Sequence, residues 1–345
     1  MSIKIAINGF GRIGRQITRL LASGPWAGVE LRAINSLEPI AQAAHLLRYD
    51  SNHGVFATSV ATEGQILRIG GHAIPFLNQP DPSLLPWRDL GIDLVIEASG
   101  GLTRGRQAHL HREAGAAKVL ITAAADAPDI TLCLGVNHDL YRPDEHHVVS
   151  GSSCTTNCLA PAAKVLHDEF TILSAQATFL HSYTISQPLL DLNGHDPRRM
   201  RAAGLNIIPT TTSASQQLPL VIPELAGRFS ATAVRVPTPE VHLAYLTAKL
   251  ARQTTPAEVV SAFVRAADGP FHGIIQVCAQ PLVSVDFKEN AASSILDAES
   301  VKVLADLIQI MIWHDNESSY CKRMIDLVRY MTAASGAPQF PTARP

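Results

Sequence analysis

Residues 3–15 read IKIAINGFGRIGR, and this stretch decides the fold of the N-terminal part of the chain. Its first six residues are mostly β-branched or apolar, as in a strand buried within a parallel sheet. Gly9, Gly11 and Gly14 then form G-x-G-x-x-G, and residues 15–22 (RQITRLLA) show helical spacing. A strand, a glycine turn and a helix in that order read as a dinucleotide-binding turn. The first glycine permits the tight turn, the second lets backbone approach a pyrophosphate, and the third lets helix and strand pack closely. The helix start adds unpaired N–H groups and positive potential for the phosphates.

Working outward, a second strand is expected over residues 29–35, a helix over 40–47, and further strands near 94–97 and 118–122. Strands alternating with helices imply a Rossmann-type, doubly wound parallel sheet. The end of the second strand ordinarily carries an acid for the adenosine ribose. Here it reads Ala33-Ile34-Asn35-Ser36, with no acid until Glu38. Ser36 can hydrogen-bond a hydroxyl and repels a 2′-phosphate less than a carboxylate does. NADP is therefore admissible beside NAD.

Near Ser150 the character changes. From about residue 173 the strands are longer and alternate (AQATFLHSYT, ATAVRVPTP, HLAYLTAKL), as in a largely antiparallel sheet with one covered face. Residues 316–334 look helical, and the tail GAPQFPTARP is expected to fray. At 345 residues two domains are the first expectation, and 46% hydrophobic with 17% charged residues fits a packed globular protein. A formal net charge of −2 provides no field to steer nucleic acid or an anionic membrane. The N-terminal residues run directly into a strand, so no signal segment is expected, and no apolar run reaches the ~18 residues a bilayer requires. Five cysteines (133, 154, 158, 278 and 321) make a poor disulfide framework, and free thiols suit a reducing cytoplasm.

One of those cysteines is different. In SGSSCTTNC, residues 150–158, Cys154 sits where small polar residues give way to a helix, LAPAAKVL. A helix N-terminus favours a thiolate and could hold a developing oxyanion. Cys133, Cys158 and Cys278 read as small buried hydrophobes. His181, near the end of a strand, is a candidate base, although a histidine there is more often structural. None of the 14 histidines has metal-type spacing with a cysteine, so no metal is expected. Arg198, Arg199 and Arg201, then Arg235, with the hydroxyls of residues 210–213, offer donors for phosphate or a solvated surface.

Taken together, NGFGRIGR, SGSSCTTNCLAP, HSYT, DPRRMRAAGLNIIPTTT, IPELAGRF, RVPTPE and WHDNE closely resemble the phosphorylating glyceraldehyde-3-phosphate dehydrogenases, in the right order from residue 1 to about 330. The resemblance implies a nucleotide-binding domain over 1–153, a catalytic domain over 154–315, and a C-terminal helix over 316–335 that returns to the first. It implies a cytoplasmic homotetramer of glycolysis and gluconeogenesis that takes a sugar phosphate and inorganic phosphate. Cys154 is then the nucleophile, His181 the base, and a thioester on Cys154 the intermediate that phosphate resolves.

The same resemblance assigns Ser153, Thr155, Thr184, Arg199, Thr212, Ser213 and Arg235 to phosphate. It places Arg12 and Ile13 against the pyrophosphate, Asn35 and Ser36 at the ribose, and Ser99 and Thr122 near the cofactor. Asn316 falls against the nicotinamide carboxamide and Tyr320 beside its ring. Ser36 replaces the family's Asp, Ser213 a Gly, Pro80 a frequent arginine, and Ser318-Ser319 a Trp-Gly pair. Erythrose-4-phosphate dehydrogenase is the near alternative, since LPWRDLGID and residues 271–287 are similar to its segments; Thr184 favours the glyceraldehyde-phosphate enzymes. A paralogue kept for binding, its activity eroded by Ser213, Ser318 and Ser319, is the alternative from another class.

Overall fold

The computed structural model describes residues 2–24 and 28–333, so the tail expected to fray lies outside them. The chain divides into two units. The first comprises residues up to Leu132, then Asp139–Ser152, and the C-terminal helix from Cys321; the second comprises Cys133–His138 and Ser153–Tyr320.

In the first unit the opening stretch forms strand β1 (Ile3–Asn8), turns at the glycines and enters helix α1 (Arg12–Ser23). Strand β2 (Val29–Asn35) and helix α2 (Ile40–Arg48) follow. Then come β3 (Val60–Glu63), β4 (Ile66–Ile69), β5 (His72–Leu77), β6 (Leu94–Glu97), β7 (Lys118–Ile121), β8 (Ile130–Thr131) and β9 (Val148–Ser150). They form one sheet in the order β8-β9-β7-β6-β1-β2-β5-β4-β3. The strands from β8 to β5 pair in parallel, and only β4 and β3 add an antiparallel edge. Ile5, Ile7, Ile34, Leu94, Val95, Ile96 and Leu120 are fully buried, as the apolar runs of a two-sided sheet require. The strand order reverses at β1, with β2 on one side and β6 on the other, so the ends of β1 and β6 flank the switch point where such sheets bind nucleotides.

The second unit opens with helix α3 (Cys154–Phe170), whose residues from Thr155 to Ala163 are all buried. Strands β10 (Ile172–Ser182), β11 (Ile208–Thr210), β12 (Phe229–Val236), β13 (His242–Leu250), β14 (Ile275–Cys278), β15 (Ser294–Leu304) and β16 (Leu307–His314) follow. Helices α4 (Ala214–Val221) and α5 (Pro256–Asp268) are interleaved, and α6 (Ser318–Ala333) closes the described chain. The sheet runs β11-β12-β10-β13-β16-β15-β14. Its pairs are antiparallel except β10–β12 and β14–β15, so the largely antiparallel expectation holds, with parallel pairing near each edge. Along β13 and β16 buried residues alternate with more exposed ones, which is the one-sided burial that their sequence pattern demanded.

Candidate active site

The glycine turn is built as its chemistry requires. Gly9 has φ +96, and a Cβ there would collide with the backbone of Ser99. A Cβ on Gly14 would fall on the Gly9 carbonyl oxygen. Gly11 is different: nothing stands within 4 Å of where its Cβ would be, so its missing side chain leaves an open face. As the N-cap of α1 it donates no side-chain cap, and the first N–H groups of the helix stay available to a bound anion. Beside this turn a cleft is lined by Ile13, Glu97, Ala98, Gly100, Thr103, Ile121 and Thr122. These residues fit a dinucleotide: an open glycine face, uncapped helix amides and a cleft at the switch point.

Several expected cofactor residues turn out to serve the cradle itself. Arg12 forks onto Asp50 at 3.1 and 3.2 Å. Burial alone would raise the Asp50 carboxyl, but the hydrogen bonds from Arg12, Asn52 and His53 bring it down to about 2. The Asn35 amide donates to Asn8 Oδ1 at 2.7 Å and to the Gln79 carbonyl at 3.0 Å. Asn8 in turn donates to Glu97 Oε2, and both the N–H and the hydroxyl of Ser99 donate to Glu97 Oε1. Thr122 donates its hydroxyl to the Glu97 carbonyl. Behind them His111 is fully buried: Trp87 Nε1–H donates to its Nδ1 at 3.0 Å, which puts the ring proton on Nε2, directed at Glu97 Oε2. Glu97 ends the otherwise apolar strand LVIE, and that lone acid was the one signal in the sequence that could have announced this network. Ser36 is buried at the end of β2 and accepts from the Glu38 N–H.

The turn before Cys154 is tightly determined. Gly151 leaves room for Met324, whose methyl carbon would stand 2.7 Å from a Cβ there. Ser152 adopts φ +58, a left-handed conformation uncommon for a residue with a side chain, and its N–H donates to Ser150 Oγ. Ser153 caps α3 by accepting from the Thr156 N–H at 3.1 Å. Cys154 therefore occupies the first helical position, partly exposed, while Cys133, Cys158, Cys278 and Cys321 are buried; all five thiols are free. The thiol is not a ready thiolate, contrary to expectation. Burial of the sulfur pushes it up to about 11, outweighing the pull of Arg235 and of the helix-end amides.

His181 lies at the end of β10, beside Arg235 on β12, and the two strands pair here in register. Arg235 Nη1 meets His181 Nδ1 and lies 3.2 Å from Nε2, while donating to the Ser182 carbonyl at 2.8 Å. His181 Nδ1 is 2.6 Å from that carbonyl, which can only accept, while Arg235 Nη1, which can only donate, meets the same nitrogen, so one contact asks for a proton on Nδ1 and the other for a lone pair. Burial first, and then the Arg235 charge, lower His181 to about 3 and keep it neutral. Arg235 is itself lowered to about 10 by burial. Cys154, His181 and a third residue, His242, bring their sulfur and nitrogen atoms within 4.8 Å of one another. The rings of His181 and His242 are 3.6 Å apart, and His314 follows 6.2 Å beyond. Nothing in the sequence pointed to His242 or His314.

The expected anion residues form groups. Ser153 Oγ, Thr155 Oγ1 and Thr212 Oγ1 are joined at 2.9 and 3.4 Å, and the Ala214 N–H donates to Thr212 Oγ1. Ser213 stands next in the chain with ordinary helical backbone, so its extra side chain strains nothing. Arg199 reaches Thr210 Oγ1 at 2.6 Å and Thr211 Oγ1 at 3.3 Å, and its charge acts on both His181 and Arg235. Thr184 bonds Ser186 and, among the described residues, is not joined to the other hydroxyls. Asn316 Oδ1 accepts from the Val241 N–H at 3.0 Å and from Ser182 Oγ at 3.4 Å. Tyr320 is buried. Ser318 and Ser319 are buried and bonded: the Ser318 N–H donates to Asp315 Oδ1, and the Ser319 hydroxyl donates to the Asp315 carbonyl at 2.7 Å and meets His314 Nδ1. That junction is therefore ordered by hydrogen bonds.

Comparison with known proteins agrees with this geometry. A family model described as glyceraldehyde 3-phosphate dehydrogenase, NAD binding domain, matches residues 3–105. A second, for the C-terminal domain of the same family, matches residues 153–316. The chain is 44% identical over 334 residues to glyceraldehyde-3-phosphate dehydrogenase of Geobacillus stearothermophilus, covering 96% of this chain and 99% of that protein. It is 45% identical over 332 residues to glyceraldehyde-3-phosphate dehydrogenase 1 of Bacillus subtilis, with 96% and 98% covered. With the corresponding protein of Streptomyces avermitilis it shares 45% over 327 residues, covering 95% and 98%.

Proposed function

Because this chain belongs to the glyceraldehyde 3-phosphate dehydrogenase family, we propose that it oxidises D-glyceraldehyde 3-phosphate to 1,3-bisphosphoglycerate with a nicotinamide cofactor and inorganic phosphate. The observation that carries this reading is the pairing of Cys154, on the first turn of α3, with a neutral His181 held between the Ser182 carbonyl and Arg235. A neutral imidazole keeps one nitrogen without a proton, and a His181 ring nitrogen lies within 4.8 Å of the Cys154 sulfur. As Cys154 sulfur adds to the aldehyde carbon, its proton passes to His181, so charge separates only as the C–S bond forms. The amides at the start of α3 face the oxygen that becomes negative. The hemithioacetal is oxidised to a thioester, phosphate oxygen attacks that thioester, and the Cys154 sulfur leaves as the acyl phosphate forms. NAD, when bound, supplies the hydride acceptor.

Gly9, Gly11, Arg12, Ile13 and Gly14, with Asn35, Ser36, Ser99 and Thr122, make the nucleotide cradle in this reading, and Asn316 and Tyr320 serve the nicotinamide. Asn316 suits that role, because its Oδ1 is occupied and its Nδ2 group has no partner among the described residues. Ser153, Thr155, Thr184, Arg199, Thr212, Ser213 and Arg235 bind the substrate phosphate and inorganic phosphate. Ser36 admits NADP beside NAD. The family's homotetramer is supported by the loop between β10 and β11, where Ile185, Leu189, Leu190, Leu192, Leu205 and Ile207 are each more than half exposed and need cover. Five free thiols suit the cytoplasm, and among the described residues no helix is long and apolar enough to cross a membrane. We also retain the division into a nucleotide-binding part to 153, a catalytic part to 315 and a closing helix.

Steady-state rates with glyceraldehyde 3-phosphate and erythrose 4-phosphate, with and without inorganic phosphate, test this reading. Faster turnover of erythrose 4-phosphate, or acyl release that ignores phosphate, would overturn it.

A further inference from the structure

His242 has no part in the dehydrogenase chemistry, yet it is fully buried beside the two groups that carry it. Its protonation follows from its neighbours. The Val241 N–H identifies the acceptor of Asn316 as Oδ1, and Ser182 donates its single hydroxyl proton to that oxygen. Ser182 Oγ is then an acceptor towards His242 Nε2 at 3.1 Å, so the ring proton sits on Nε2. His242 Nδ1 is left as a bare lone pair, buried and without a hydrogen-bond partner. A buried, unsatisfied acceptor of this kind is costly and calls for a ligand. His181 and Cys154 are its companions: one ring nitrogen from each histidine and the Cys154 sulfur all lie within 4.8 Å of one another.

We propose that Cys154, His181 and His242 form a binding site for a thiophilic divalent cation, zinc above all, which silences the nucleophile reversibly. A tetrahedral zinc with bonds of about 2.3 Å to sulfur and 2.0–2.1 Å to nitrogen sets its ligand atoms about 3.4–3.6 Å apart. The three ligand atoms already lie within 4.8 Å of one another, so binding draws them together around the metal while the two imidazole rings swing apart. One sulfur and two imidazoles select zinc, cobalt(II) or cadmium over magnesium or calcium. The remaining position takes water. On binding, the Cys154 S–H bond breaks, its proton goes to solvent, and the sulfur–metal bond forms with no change of oxidation state. His181 is already held by the Ser182 carbonyl through Nδ1, the arrangement that orients a metal-bound imidazole, and Ser182 Oγ holds His242 in the same way. With both the nucleophile and the base engaged, aldehyde cannot add. The Arg235 guanidinium opposes the cation, and the Glu317 carboxylate near Cys154 favours it.

The sequence concealed this site, because the three residues come from α3, β10 and β13. The test uses the full-length protein and reads metal directly, so it stands apart from the dehydrogenase reading. Cobalt(II) should bind once per subunit with a sulfur-to-cobalt charge-transfer band, and zinc should displace it. Zinc should also block iodoacetamide labelling of Cys154, and EDTA should restore it. His242→Gln should weaken cobalt and zinc binding by about 100-fold or more, since loss even of an outer partner costs 10–100-fold. Should that variant fail to fold, His242→Cys, which keeps a ligand, should bind cobalt with a second sulfur contribution to its spectrum. Equal zinc affinity in wild type and His242→Gln, a cobalt spectrum without sulfur, or a His242→Cys spectrum unchanged from wild type would each overturn the proposal.

Discussion

Gly11 and Gly14 sit three residues apart on the same turn, and the structure gives them opposite reasons for being glycine. Replacing each with alanine separates folding from cofactor binding. At Gly14 the new methyl would land on the Gly9 carbonyl oxygen, 3.2 Å from its carbon and 3.3 Å from Ile7 Cγ2. Two of those three atoms are backbone, and Gly9 is itself wedged against Ser99, so α1 must back away from β1. Overpacking of this kind costs about 1–3 kcal/mol. For a unit of this size that lowers the melting temperature by about 3–10 °C, and NAD affinity falls with it. At Gly11 the methyl meets nothing within 4 Å, and the backbone (φ −69, ψ −161) is extended and open to alanine. The stability cost is only that of a poorer N-cap, about 0.5–1 kcal/mol. NAD should nonetheless lose about 10–100-fold in Kd, since a methyl intruding on a close pyrophosphate contact costs about 1–3 kcal/mol. Thermal melting and calorimetric titration with NAD give both numbers for both variants. A Gly11→Ala protein that binds NAD within twofold of wild type would refute the placement of the pyrophosphate. An unaltered melting temperature for Gly14→Ala would refute the packing argument.

Three further outcomes are expected. NADP should support turnover within about tenfold of NAD, roughly 1.4 kcal/mol, and Ser36→Asp should select against NADP; unchanged NADP rates would show that Ser36 does not face the 2′-position. His181 stays neutral in the folded protein down to about 3, whereas the unfolded chain takes up that proton near 6.5. The unfolded state therefore binds more protons between those values, and stability falls as pH drops. Between pH 7 and pH 5 the loss from this residue is about 2 kcal/mol, and His181→Gln should flatten a urea-midpoint profile by that amount; an identical slope would be evidence against a buried neutral imidazole. His111→Leu should cost about 1–3 kcal/mol, because it strands the Trp87 N–H inside the protein and leaves Glu97 Oε2 with Asn8 alone. Urea unfolding measures this, and a loss under 1 kcal/mol would mean that the network does not hold the cleft.

What the sequence disclosed and what it hid divide along a physical line. The glycine turn, the buried parallel strands and the turn before Cys154 are local, each written in consecutive residues whose spacing states the geometry. The resemblance placed Ser99 and Thr122 near the cofactor, and only the fold shows their hydroxyls bound to Glu97. Arg235 was expected at phosphate, and register between β10 and β12 adds what the sequence could not say, that it lies against His181. At Cys154 the helix end favours the charge while surrounding atoms remove the water that would stabilise it, a balance that only the fold reveals. Ser318 and Ser319 stand where the family has Trp-Gly, and only the fold shows that they tie the start of α6 to Asp315 and His314. Burial and distant partners decide such cases, and neither has a period in the chain.

The residues of α6 belonging to the first unit bear on the order in which the protein can be made. The Gly151 turn closes around Met324, and the Cys321 thiol donates to the Ile13 carbonyl at the other turn, across 308 positions of chain. A nascent polypeptide leaves the ribosome from its N-terminus, and contacts so remote in sequence are the last to form. The turn before Cys154 and the glycine turn before α1 thus share a single late-arriving support. A ribosome that stalls before codon 321 releases a chain with every reactive side chain in place and neither turn braced.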